Sequence, residues 1–164
     1  MKTAKKARFY ASMALILTLL LAGCSGGGES GEKREPQTVA QGESLRIPLG
    51  GLGETASFYP VEIDGTDMEV LAVKLSDGGI RTAFNTCELC FDSGRGYYEQ
   101  EGSDLICQNC GNRFGMDEIG RPSRGCNPWP ILDADKTLTE EEILISYEFL
   151  AGSKRFFGRW KSGA

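Results

Sequence analysis

The chain has 164 residues, 40% of them apolar, and sets 18 basic against 23 acidic side chains with no histidine at all. A net charge of −5 argues against nucleic acid as a partner, because phosphates select a basic face. With no histidine no Ser-His-Asp constellation is available, so no catalytic residue is assigned and an enzyme is not expected.

The first predicted element is an export signal. Lys2, Lys5, Lys6 and Arg8 flank the apolar run from Met13 to Ala22, which is the pattern of a secretory leader. A membrane span needs about 20 apolar residues, so this run is too short to cross by itself. It ends in Leu21-Ala22-Gly23-Cys24, which resembles the lipobox of bacterial lipoproteins. That resemblance implies a signal peptide over residues 1–23 and lipidation of Cys24, which would hold the protein on the extracytoplasmic face of the cell membrane. The alternative is an uncleaved signal anchor with a chance cysteine. Residues 24–42 then read as the lipidated cysteine and a flexible linker, since Ser25 to Gln41 is polar and rich in Gly, Ser and Glu. Losing the four basic residues of the leader takes the net charge from −5 to −9.

Residues 43–164 are enough for a single small domain, and its patterning predicts a mainly β fold with minor helix. Glu43 to Leu49 alternates, with Leu45, Ile47 and Leu49 on one face. Strands over Ala56 to Ile63 and Asp67 to Leu75 flank a hairpin turn at Asp64-Gly65, and Ser76 to Gly79 turns the chain into Ile80 to Phe84. The result is a β-meander whose last strand runs into Cys87. Short strands over Gly96 to Glu99 and Leu105 to Cys107, joined through Gly102 and Ser103, form a second hairpin. Near the C-terminus Thr139 and Glu142 have capping-box spacing, yet Ile143, Ile145, Tyr147 and Phe149 alternate. A strand over Ile143 to Ser146 with a short turn or helix after it is expected.

The second hairpin folds Cys87 and Cys90 back toward Cys107 and Cys110. Each C-x-x-C pair places two sulfurs in one turn, and two facing turns offer four thiolates at tetrahedral corners. Sixteen residues separate the pairs, close to zinc-ribbon spacing. Gly111 lets the backbone turn closely beneath the second pair. Cys126 is a fifth thiol, in a turn stiffened by Pro128 and Pro130, and is expected beside the cluster as an exchangeable ligand, a redox partner or an inert thiol. Structural disulfides suit an exported protein, but five thiols leave one over. Thiol-disulfide exchange lacks an evident activating group, with Arg81 and Arg113 as the candidate sources of charge.

The run from Ile80 to Pro130 joins these features. It contains both C-x-x-C pairs, Gly96-Tyr97-Tyr98, Asn109-Cys110-Gly111 followed by Arg113-Phe114, Ile119-Gly120 and Gly125-Cys126-Asn127-Pro128. In this it resembles the FtrD-like domain, found in membrane iron-sulfur proteins of bacterial ferrous-iron transport systems and in small exported proteins. The resemblance extends more weakly from about Glu43 to Phe157. It implies that Cys87, Cys90, Cys107, Cys110 and Cys126 serve a metal or iron-sulfur centre in metal uptake or electron delivery, with a membrane transport or redox protein as partner. Asn85 stands where the family leads one to expect Asp, and Gly115-Met116 where a proline and an aliphatic residue are common.

The leader has no twin arginine, so the chain is expected to cross the membrane unfolded and to load its site outside. Zinc, Cu(I) or a single iron can load spontaneously onto four thiolates, which ranks a simple ion above the iron-sulfur cluster that the resemblance implies. The sequence therefore points first to a lipid-anchored, non-enzymatic metal-binding accessory protein with Cys87, Cys90, Cys107 and Cys110 as ligands and Cys126 as an associated thiol. A dithiol-disulfide oxidoreductase is the second reading. A partner-docking module with a purely structural metal is the third. Met68 and Met116 are expected as packing residues, Asp117 and Glu118 as solvated loop charges, and the aromatics of Ser153 to Lys161 as a closure of the core.

Overall fold

The computed structural model describes residues 34–122 and 125–163. The signal peptide, Cys24 and the linker as far as residue 33 lie outside the described residues. Among those described the chain forms eleven strands: β1 (Gln37–Thr38), β2 (Ser44–Pro48), β3 (Ser57–Ile63), β4 (Thr66–Lys74), β5 (Ile80–Cys87), β6 (Tyr98–Glu101), β7 (Asp104–Cys107), β8 (Arg113–Gly115), β9 (Pro128–Pro130), β10 (Thr137–Leu138) and β11 (Glu142–Ser146). A single α-helix among the described residues, α1 (Tyr147–Ser153), runs into a 3-10 turn over Lys154–Phe157. The mainly β domain with minor helix is as expected. No helix among the described residues is long and apolar enough to cross a membrane.

Among the described residues the largest sheet has the order β1-β3-β4-β5-β9, and two three-stranded sheets, β10-β11-β2 and β6-β7-β8, accompany it. The hairpin at Asp64-Gly65 forms as the sequence predicts, with φ of 47° and 74° at its two turn residues, the left-handed pair that a tight hairpin turn requires. Six consecutive residues of β4 are buried, so this central strand is covered on both faces. Period-two alternation divides them: Met68, Val70 and Ala72 enter one core, Leu71 and Val73 another. Strand β5 does the same, sending Phe84 to the first core and Ala83 and Cys87 to the second.

The first core is closed by β2 and β11, whose Leu45, Ile47, Ile143 and Ile145 are wholly buried, and by the C-terminal aromatics. Phe84 stacks on Phe149 with ring centres 5.7 Å apart. Phe156 stacks on Trp129 at 3.5 Å and meets Phe91 edge-on at 5.7 Å. Phe91 follows Cys90 and Trp129 lies three residues after Cys126, so this aromatic group anchors both chain segments that lead into the thiols.

The strand expected over Ile143 to Ser146 forms as β11 with a short helix after it, and the Oγ1 of Thr139 accepts from the amide of Glu142 at 2.9 Å in the turn that joins β10 to β11. Other expectations need correcting. Gln37–Thr38, assigned to the flexible linker, pairs in parallel with β3, and Val39 is buried in the first core. The turn read around Pro128 and Pro130 opens instead into β9, an edge strand against β5, the place in a sheet where a proline without an N–H is tolerated. Leu49, grouped with the alternating strand, begins a short 3-10 turn after Pro48.

Candidate metal centre

Three separate segments deliver the thiols. Cys87 ends β5, Cys90 follows in the turn after it, and Cys107 ends β7. Cys126 arrives just ahead of β9, held there by pairing of Pro128 with Cys87 and by the amide of Glu88 donating to the carbonyl of Asn127 at 3.1 Å. Cys110 occupies the turn between β7 and β8. Gly111, at φ 73°, lets its amide reach back to the carbonyl of Cys107 at 2.8 Å, the tight return expected of a glycine in that position. Gly96 passes so close to the first C-x-x-C turn that a Cβ there would sit 2.2 Å from the Cys90 carbonyl oxygen. The amide of Cys87 donates to the carbonyl of Gly96 at 2.7 Å.

The five cysteines among the described residues are all free thiols. The sulfurs of Cys87, Cys90, Cys107 and Cys126 all lie within 4.8 Å of one another. The tetrad anticipated from spacing contained Cys110 instead of Cys126. Cys110 is exposed, and its Sγ lies 3.0 Å from that of Cys126. Cys126 in turn is 3.1 Å from Cys87, so it is the sulfur that links the inner group to the outer thiol. All five residues singled out from the sequence are thus gathered in one place, with Cys126 on the inside and Cys110 on the rim.

The protonation of the cluster follows from its contacts. A hydrogen bond from Cys107, with smaller ones from Tyr98 and Cys126, pulls the Cys87 thiol down to about 4 against the cost of its burial. The same contact with Cys87 holds the proton on Cys107, whose thiol is pushed up. Cys110 is lowered by its hydrogen bond with Cys126, while Cys126 is raised, first by burial and then by donating to Cys110. Burial raises Cys90. Without a metal Cys87 and Cys107 therefore form a thiolate–thiol pair. With Cys87 ionised, the proton between Cys87 and Cys126 belongs to Cys126.

Two polar residues support this arrangement. Tyr98 is 1% exposed, and its hydroxyl lies 3.7 Å from the Cys126 sulfur. Burial, and then the neighbouring thiolate, raise its hydroxyl well above the usual tyrosine range, so it stays a donor. Asn85 clamps the backbone of Tyr98: its Oδ1 accepts from the Tyr98 amide at 2.7 Å and its Nδ2 donates to the Tyr98 carbonyl at 3.1 Å. The same Nδ2 lies 2.6 Å from a Glu69 carboxylate oxygen, and the Asn85 carbonyl accepts from the Trp160 indole at 2.7 Å. An Asp at this position could not donate to Glu69 and would bring two carboxylates together in a buried site. The amide suits the place. Met116 packs in the second core with Cys87 and Cys107, whereas Met68 lies in the first core away from the thiols. Glu118 caps its own turn through the Gly115 amide at 3.0 Å, and Asp117 is exposed.

Tyr98 went unnoticed in the sequence as a neighbour of the thiols, although the signal was present. Counting back from the turn at Gly102 and Ser103 pairs Glu101 with Asp104 and so Tyr98 with Cys107, and directly opposed residues on one face of a hairpin are neighbours. Arg113, considered as a source of charge for a reactive thiol, is engaged with Asp104 at 3.0 Å and Glu101 at 3.5 Å.

The donor set is suited to a soft or borderline metal. Thiolates are the ligands that zinc, iron-sulfur centres and Cu(I) select, and a tetrahedral ion about 2.3 Å from each sulfur spaces them about 3.8 Å apart. That is compatible with four sulfurs within 4.8 Å of one another. Neither the curated proteins nor the solved structures contain a match to the chain. The sequence profile described as "Membrane iron-sulfur containing protein FtrD-like" matches residues 53–157, well over half of the chain and including every one of the clustered cysteines, and the chain therefore belongs to the FtrD-like family.

Proposed function

We propose that the protein is a lipid-anchored, extracytoplasmic metal-binding accessory protein, not an enzyme, which holds one iron or zinc ion on its clustered thiolates and supplies iron or electrons to a membrane transport or redox protein. The observation that carries this reading is the convergence of Cys87, Cys90, Cys107 and Cys126 from three separated segments, with sulfurs within 4.8 Å of one another. Such close packing of thiols without disulfides suits a bound cation, since each ligand thiol releases its proton to solvent and meets the ion as a thiolate. The family description supports membrane association and an iron-sulfur centre. Sulfurs this close favour a single ion, because a multi-iron cluster attaches its thiolates to different metal atoms and spreads them. One iron on four cysteine sulfurs reconciles the family description with this spacing. The anchor through Cys24 and the extracytoplasmic face rest on the leader.

Cys110 and Cys126, 3.0 Å apart with one of them exposed, favour thiol-disulfide exchange as a second reading. Metal content and the visible spectrum of the full chain, purified anaerobically from its exported form, separate the two. About one iron per chain with thiolate-to-metal absorption supports electron or iron delivery. About one zinc without colour leaves a storage or structural site. A metal-free protein with oxidised pairs sinks the proposal in favour of exchange.

A further inference from the structure

A four-coordinate ion uses four thiolates, and five are present. We infer that the resident ligands are Cys87, Cys90, Cys107 and Cys126, and that Cys110 is an exchange ligand through which the ion enters and leaves. This rests on the metal-binding reading above and adds the route to it.

The two thiols that compete for the last corner differ in how they are held. Cys126 is half-buried and tied on both sides: the Asn112 side-chain amide donates to its carbonyl at 3.2 Å, and the next residue, Asn127, is buried beside β9. Its sulfur contacts Cys87 at 3.1 Å and faces the Tyr98 hydroxyl at 3.7 Å. Cys110 sits on a turn whose neighbours Asn109, Gly111 and Asn112 are all exposed, and its sulfur lies outside the inner group but 3.0 Å from Cys126. Among the ligand sulfurs, Cys126 is the one that Cys110 meets at 3.0 Å and the strongest of its side-chain partners, so the corner Cys126 occupies is its most direct way to the ion. Being exposed, Cys110 reaches solvent without any movement of the strands. Exchange is then a single substitution. The bond from the ion to Cys126 breaks as a bond to Cys110 forms, the Cys110 proton passes to the released Cys126, and no electrons move. From Cys110 the ion is open to a thiol donor or acceptor, either a small-molecule thiol or a partner's cysteine.

The test uses the full chain loaded with zinc. Brief alkylation, read by mass of the cysteine peptides, is expected to label Cys110 first, with the ion retained and Cys87, Cys90, Cys107 and Cys126 protected until a chelator is added. Cys110→Ser is expected to keep one zinc per chain but to pass it to a thiol acceptor at least about tenfold more slowly, the scale on which outer groups act at metal sites. Cys126→Ser is expected to lose zinc to a chelator that leaves the Cys110→Ser protein loaded. A loaded wild-type protein in which Cys110 is protected and Cys126 labelled overturns this inference alone, and needs no variant to fold. A chain that takes up no zinc and alkylates at all five positions overturns the metal-binding reading with it.

Discussion

Tyr98 is the residue on which the chemistry of the cluster turns most directly after the cysteines. Its ring is held edge-on to Phe114 at 6.0 Å and its backbone is clamped by Asn85, so the hydroxyl can be removed without disturbing its place. Tyr98→Phe is therefore expected to fold as the wild type. Losing a hydrogen bond worth about 1 kcal/mol to a ligand sulfur makes that thiolate a stronger donor. In the iron-loaded protein the reduction potential should fall by about 40 mV for a one-electron couple, with a shift in the thiolate-to-metal absorption. Voltammetry of both proteins checks this, and an unchanged potential with unchanged absorption would remove Tyr98 from the centre. At this scale the sequence was a good guide to which residues matter and a poor one to how they are arranged. Five thiols are visible in the sequence after Cys24, but whether Cys110 or Cys126 joins the inner group depends on β9 pairing with β5, which places Cys126 against Cys87 across 39 positions. No local spacing encodes that.

Among the elements, long strands were legible because alternation and turn residues agree over many positions, as in β3 and β4 around Asp64-Gly65. Strands of two or three residues such as β1, β8, β9 and β10 carry no such pattern and exist only through their partners. Tyr147 and Phe149 continue the alternation of β11 yet lie in α1, because Ser146 turns the chain and accepts from the Phe149 amide at 3.3 Å. That helix and the turn after it are tied to the β3–β4 hairpin by Asp64, which receives Lys154 and the Tyr147 hydroxyl, each at 3.0 Å. These contacts, Lys154 first, hold the Asp64 carboxyl below its ordinary value of 3.8. A depressed carboxylate contributes stability above its unfolded value and loses it as pH falls through the folded one. Asp64→Asn, which tolerates the left-handed backbone at this position, should thus melt slightly below the wild type near neutrality, the effect being small because the site is exposed. The difference should close as the pH falls from about 5 to about 2. Paired thermal melts across that range check it, and an offset independent of pH would mean the carboxylate is not the tie.

For the molecule as a whole, the division into two cores decides what the metal supports. The first core, between the large sheet and the β2–β11 layer, contains none of the five cysteines. The second is built around Cys87 and Cys107, with Cys90 and Cys126 packed against it. Its outer wall is β6-β7-β8, strands of four, four and three residues, at the short end of the usual range, so that the sheet gains from something that holds it. An ion on the thiols is positioned to be that something, since it joins the end of β7 to the end of β5 and to the segment before β9. Chelation should then raise hydrogen exchange in Tyr98–Glu101 and Asp104–Cys107 by at least about tenfold, as a local opening does, while the amides of β2, β3 and β11 keep their protection. Protection lost throughout would make the ion a fastener of the entire fold and favour a purely structural metal. Loss confined to β6-β7-β8 means that a rigid first core carries a metal site able to open and close by itself, and this separation lets an ion be exchanged without unfolding the protein that holds it.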